Sequence, residues 1–128
     1  MNPVTCEQAV AEYFAAIRAM DPDRWVRTFA EDAQSQDPVG TPPMRGHAAL
    51  HKFLTGVFSL FQELGLTEDH VFVSGNSAAV KWTGRGRGRN GASVTFEGVD
   101  VIDCNADGKI ISVRAFWDPA PVMAAVQG

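Results

Sequence analysis

The chain has 128 residues, 45% of them hydrophobic and 20% charged, with a net charge of −4. A single domain of that length buries a sizeable core, and nothing in the composition points to disorder. A mildly acidic chain is a poor partner for nucleic acid or an anionic membrane, and no apolar run is long enough to span a bilayer.

Thr5 opens the first helix, with Gln8 three residues on as a capping box. Val10, Tyr13, Phe14 and Ile17 recur at i, i+3, i+4 and i+7, which predicts an apolar face from about Ala9 to Met20 with Tyr13 turned inward. No basic n-region precedes this helix, and Glu7 and Glu12 interrupt its apolar residues, so no secretory signal is expected. Cys6 and Cys104 are the only cysteines. Lacking a close pair or metal-type spacing, they read as free thiols of a reducing, cytoplasmic setting. Asp21-Pro22 predicts an N-cap and first position for a second helix reaching about Phe29, with Trp25, Val26 and Phe29 as its apolar positions.

Ala33 to Asp37 reads as a polar extended run, with Ser35 and Asp37 on one face. The loop Asp37-Pro38-Val39-Gly40-Thr41-Pro42-Pro43-Met44-Arg45-Gly46 follows. Its prolines and glycines hold one acid between two helical segments, which marks a site more than a linker. A third helix is predicted from about His47 to Phe61, with Leu50, Phe53, Leu54, Val57, Phe58 and Phe61 as its stripe.

Strand patterns begin after Gly65. Val71 to Val73 is a short apolar run. Ala78 to about Gly88 alternates, with Val80, Trp82, Gly84 and Gly86 on one face and Lys81, Thr83, Arg85 and Arg87 on the other. Asn90-Gly91 signals a hairpin, Ser93 to Cys104 is the return strand, and Lys109 to Trp117 is the last strand before a Pro-broken tail. The expected class is α+β: three N-terminal helices packed on a curved antiparallel sheet.

Asp100 lies within Phe96-Glu97-Gly98-Val99-Asp100-Val101-Ile102, a central-strand pattern in which Asp is disfavoured. If the face it shares with Phe96, Gly98 and Ile102 is the core face, Asp100 is expected to stay protonated and act as a donor. Each candidate also has a plainer reading. Asp100 fits an ion-paired carboxylate, Asp37 a turn cap, and Tyr13 a core phenol bonded to a backbone acceptor. Together, one phenol and two carboxyls around an apolar cavity suit proton abstraction beside a carbonyl.

The chain resembles the steroid delta-isomerases (ketosteroid isomerases) of the nuclear transport factor 2 superfamily over nearly its whole length. Tyr13, Phe29-Ala30-Glu31-Asp32-Ala33, Gln36-Asp37-Pro38-Val39-Gly40, Val99-Asp100, Asp107-Gly108-Lys109-Ile110 and Ser112-Val113-Arg114-Ala115-Phe116-Trp117 carry the likeness. The resemblance implies a cone enclosing an apolar pocket, with Asp37 as general base between C4 and C6 of a 3-oxo-Δ5 steroid or similar ketone. Tyr13 and protonated Asp100 would donate to the carbonyl oxygen, a mechanism known for that family. Phe29, Leu50, Phe53, Trp82, Gly84 and Trp117 would line the substrate site. The resemblance implies no cofactor and a homodimer through the outer sheet face, with Val99, Val101 and Val113 as candidate contacts.

There are departures too. Leu54 stands where such isomerases carry a second tyrosine, and Gly84 and Gly86 replace bulky residues, which implies a wider or reshaped cavity. The fold also hosts polyketide cyclases, epoxide hydrolases with an Asp-Arg-Asp set, and non-catalytic binders or assembly modules. His47 and His51 have metal-ligand spacing, but the sequence places no third ligand and no metal is expected. The alternating arginines lack interleaved aromatics, and RNA binding is not expected.

Overall fold

A computed structural model describes residues 5–128. Its elements run α1 (Cys6–Arg18), α2 (Pro22–Val26), β1 (Phe29–Gln36), β2 (Met44–Arg45), α3 (Gly46–Phe58), β3 (Phe61–Ser74), β4 (Ser77–Gly88), β5 (Ser93–Cys104), β6 (Ile110–Phe116) and α4 (Ala120–Gln127). The six strands form one curved, unclosed sheet in the order β2-β1-β6-β5-β4-β3. The class is α+β, and the core lies between α1, α3 and the inner sheet face.

The first helix forms as its sequence predicts. Thr5 Oγ1 accepts from Gln8 N–H at 3.1 Å and Gln8 Oε1 accepts from Thr5 N–H at 2.9 Å, closing the capping box. Val10, Tyr13, Phe14 and Ile17 are all buried.

Later elements depart from expectation in five places. Helix α2 stops at Val26, because Thr28 Oγ1 donates to Trp25 O at 2.7 Å and Thr28 O accepts from Ile110 N–H at 2.9 Å. Those bonds turn the chain into β1, and Phe29 becomes a strand residue. Helix α3 ends at Phe58, where Ser59 Oγ donates to Gly56 O, and Phe61 opens β3 opposite Gly88.

Strand β3 runs 14 residues, far beyond the expected Val71 to Val73. Register shifts at Phe61/Glu63 and Glu68/His70 break its period of two, which conceals the strand from alternation. The run that does look like a buried strand sits instead at the exposed end of this edge, with Phe72 71% accessible.

The sheet is mixed rather than wholly antiparallel. β1 runs parallel to β6, pairing Ser35 with Val113 and Gln36 with Arg114. The long connection through α3 and four strands removes the constraint that a hairpin imposes. Finally, the Pro-broken tail is a fourth helix. Pro119 and Pro121 fall at its start, where a missing N–H is harmless, and Val122 and Val126 are buried. No helix among the described residues is long and apolar enough to cross a membrane.

The burial pattern of β3 separates its apolar positions energetically. Phe61→Ala is expected to destabilise the fold by about 3–5 kcal/mol. Val71→Thr is expected to stay within about 0.5 kcal/mol, both measured by urea unfolding.

Candidate active site

Asp37 directly follows β1, whose inward positions are Phe29, Ala33 and Ser35. The same parity turns Asp37 inward. The Asp37–Pro38 peptide is cis. Beyond it the loop is tied to the sheet by Val39 N–H donating to Ala115 O at 2.8 Å, and to itself by Thr41 Oγ1 donating to Pro38 O at 2.7 Å. Trp117, just past β6, donates its Nε1–H to Asp37 Oδ1 at 2.5 Å.

Asp100 is an inward residue of β5 with 2% of its surface accessible. Its Oδ1 accepts from Trp82 Nε1–H at 2.9 Å. The indole reaches it because Trp82 pairs across the strands with Gly98. A Cβ at Gly98 would stand 2.5 Å from the Trp82 ring and 2.9 Å from Trp117 Cβ. One glycine therefore makes room for both indoles.

Tyr13 enters from α1 and is 2% accessible. Its ring stands 5.0 Å from Phe14, 5.6 Å from Trp25 and 5.9 Å from Phe29, centroid to centroid. The indole N–H of Trp25 is buried with no hydrogen-bond partner among the described residues. Such an orphan costs about 1–3 kcal/mol.

Tyr13, Asp37 and Asp100 line one cavity of about 60 Å³. Of the other expected lining residues, Phe53, Trp82 and Trp117 face it. Phe29 does not; it backs Tyr13 and stands edge-on to Trp25 at 4.8 Å. Leu50 is fully buried in the core behind the cavity wall. Gly84 does not open the cavity either. A Cβ there would fall 2.6 Å from the Phe96 ring and 2.9 Å from Leu66, so those side chains occupy the space. Gly86 is covered likewise by Phe61 and Leu64.

The sequence pattern missed Trp25, Leu66 and Phe96 as lining residues, and Val122 and Met123 from α4. The tail had a usable signal: Val122, Met123 and Val126 keep helical spacing after a proline start. Phe53 and Val57 also line an outer apolar groove with Met44, Ala49, Lys52, Gly56 and Leu60.

The electrostatics separate the two acids. Burial raises Asp37 to about 6, against the indole bond from Trp117, which lowers it. Burial, and then the charge on Asp37, raise Asp100 to about 8, against the bond from Trp82. Asp37 thus loses its proton first, and at neutral pH one carboxylate faces one carboxylic acid. With Oδ1 of Asp100 taken by an indole, Oδ2 is left to carry the proton. Burial and both acids raise Tyr13 well above the usual phenol range, so it remains a donor.

His47 and His51 turn to different partners, the Phe29 carbonyl at 2.8 Å and Asp23 Oδ1 at 2.8 Å. Arg114 lies on the exposed sheet face, 5.9 Å from the centre of the Phe116 ring. No arginine among the described residues lines the cavity.

The curved sheet around an acid-bearing apolar cavity is the nuclear transport factor 2-like fold. The chain belongs to the SnoaL-like domain family, whose model matches residues 10–113. It is 32% identical over 115 residues to a steroid Delta-isomerase of Nocardioides simplex, an alignment covering 90% of this chain and 91% of that protein. Among solved structures it is 30% identical to SalBIII, an epoxide hydrolase/cyclase-like enzyme in pyran ring formation in polyether salinomycin, with a TM-score of 0.81 over 90% and 92% of the two chains. An NTF2-like protein of unknown function from Burkholderia pseudomallei, 23% identical, shares the fold with a TM-score of 0.84 over 96% and 98%.

Asp100 also sets a pH dependence of stability. Its folded value lies near 8, whereas the unfolded chain titrates near 4. Between those values the folded state holds the extra proton, so stability is fullest below about pH 4 and declines as pH rises to about 8. Asp100→Asn is expected to flatten that decline and raise Tm at pH 8 by about 3–6 °C, read by circular dichroism at pH 5 and 8.

Proposed function

We propose that this protein moves the double bond of a β,γ-unsaturated ketone, such as a 3-oxo-Δ5 steroid, into conjugation. The observation that carries the reading is the convergence of Tyr13, Asp37 and Asp100 on one cavity, and burial raising the two acids to different values supports it. The similarity to a steroid Delta-isomerase supports the reaction class.

In this mechanism Asp37 takes a proton from C4 and the electron pair moves onto the carbonyl oxygen. Tyr13 Oη–H and Asp100 Oδ2–H donate to the resulting dienolate oxygen in a water-poor site. Asp37 then returns the same proton to C6, leaving the C4=C5 bond conjugated with the ketone. The Trp117 bond holds Asp37 in one orientation for both transfers. A cavity of about 60 Å³ is smaller than the roughly 300–1,000 Å³ of drug-sized sites. A fused ring system therefore requires Phe53 and Val57 to swing toward the outer groove they share, whereas a small cyclic ketone needs less movement.

A second reading draws on the likeness to SalBIII. The same pair would close a ring on an epoxide, with Asp37 taking the proton of an internal hydroxyl and Asp100 giving one to the epoxide oxygen. The absence of an arginine from the cavity lining disfavours epoxide hydrolysis by an Asp-Arg-Asp set.

We also propose a homodimer through the outer sheet face. There Phe72, Ala79, Val101 and Arg114 form one cross-strand row, beside Lys81, Val99 and Phe116. Val113, an expected contact, faces the core at 1% accessibility and takes no part. Sedimentation is expected to show a dimer that Val99→Asp with Phe116→Asp converts to monomer; a wild-type monomer at micromolar concentration removes the proposal.

Isomerisation is tested by enone absorbance with a 3-oxo-Δ5 steroid and with a small cyclic β,γ-unsaturated ketone. Asp37→Asn is expected to lower kcat about 10²–10⁴-fold, and Tyr13→Phe about 10²–10³-fold. The profile of kcat/KM should be bell-shaped, with limbs near 6 and 8 from Asp37 ionising and Asp100 losing its proton. Wild-type turnover no faster than that of Asp37→Asn would sink the isomerase reading.

A further inference from the structure

The chain has three tryptophans, and all three line the cavity, one beside each of its polar groups. Trp117 donates to Asp37 and Trp82 donates to Asp100. Trp25 stands beside Tyr13, with ring centroids 5.6 Å apart and planes at 49°. It is 1% accessible, and its Nε1 is the orphaned buried side-chain polar atom among the described residues. Two indoles are spoken for and the third N–H waits for an acceptor.

Tyr13, in ring contact with Trp25, can supply one. Its hydroxyl has one proton and two acceptor sites. Burial and the two carboxyls oppose ionisation of the phenol, while Trp25 works in the opposite direction, as an N–H close to the phenol oxygen must. Tyr13 is the only tyrosine of the chain, so no second phenol is available to polarise it. Leu54, which also lines the cavity, brings only hydrocarbon. Trp25 is held in place by Phe29 edge-on at 4.8 Å and by Thr28 Oγ1 on its carbonyl at 2.7 Å.

We propose that Trp25 is a positioning residue for Tyr13, its Nε1–H donating to Tyr13 Oη once the phenol directs its own proton onto a ligand oxygen. The proposal rests on the reading of Tyr13 as a donor to that oxygen. Among the described residues the indole N–H has no hydrogen-bond partner, and the phenol has acceptor capacity to spare. A bound anionic oxygen fixes the phenol proton on the ligand side and leaves a lone pair toward Trp25. The donated bond then draws density from Oη and strengthens the outgoing bond. No proton changes owner in this chain of N–H to O–H to ligand oxygen.

A nitro-substituted phenol, bound as its phenolate, supplies the anionic oxygen without turnover. In ¹H–¹⁵N spectra of the wild type, the Trp25 Hε1 resonance is expected to move downfield on binding, and to stay in place in Tyr13→Phe. Trp25→Phe is expected to weaken phenolate binding about 3–10-fold, and to have less than about a 2-fold further effect in the Tyr13→Phe background. With a turned-over ketone, the same variant lowers kcat and leaves KM nearly unchanged. If Trp25→Phe fails to fold, the wild-type and Tyr13→Phe spectra decide the matter alone. An unmoved Hε1 resonance, or a loss fully additive with Tyr13→Phe, overturns the relay while leaving Tyr13 a donor. Tyr13→Phe that binds the phenolate as tightly as wild type overturns both readings.

Discussion

Two carboxyl groups share one largely apolar cavity, and at neutral pH they are not both ionised. Asp37 keeps part of its surface open to solvent and titrates first, near 6. Asp100 lies deeper, feels both the burial and the charge on Asp37, and keeps its proton until about 8. Neutral pH falls between these values, so one carboxylate and one carboxylic acid stand in the same cavity. The proposed chemistry depends on that division more than on any single contact.

The rest of the fold serves to hold those groups at fixed distances. Strand β1 runs beside β6, and the loop after it is bonded to Ala115, which leaves Asp37 close to Trp117. The pairing of β4 with β5 puts Trp82 opposite Gly98, and the missing side chain lets the indole lie across the strand to Asp100. Indole N–H groups suit this work. Each donates one directed bond to a carboxyl oxygen while its ring supplies apolar wall, so orientation is gained without adding a charge that would pull the acids back toward ordinary values. Burying two acids lowers stability, and the core around α1 and α3 offsets it.

Much of this was legible in the sequence because it rests on local chemistry. The capping box of α1, the inward parity of Tyr13, the face that Asp100 shares with Phe96, Gly98 and Ile102, and the Pro-Gly loop behind Asp37 all follow from spacing of a few residues. What escaped was decided at longer range. Register shifts concealed the first ten residues of β3, and the apolar Val71 to Val73 stretch that stood out instead is exposed. The parallel pairing of β1 with β6 depends on the chain's route through α3, which alternation does not encode. Gly84 looked like an opening because its own side chain is absent, but Phe96 and Leu66 from neighbouring strands fill the gap. Trp25 read as one more apolar helix position, since nothing in its neighbours reveals that its N–H would lack an acceptor.

The division of charge can be observed directly. Carbon-13 labelling of aspartate, with Asp37→Asn and Asp100→Asn to assign the two resonances, follows each carboxyl through a pH titration. One inflection near 6 belonging to Asp37 and one near 8 belonging to Asp100 is the predicted result. Two carboxyls that both titrate near 4 would mean that the cavity does not hold a base and an acid side by side at neutral pH, and would contradict the account at its centre.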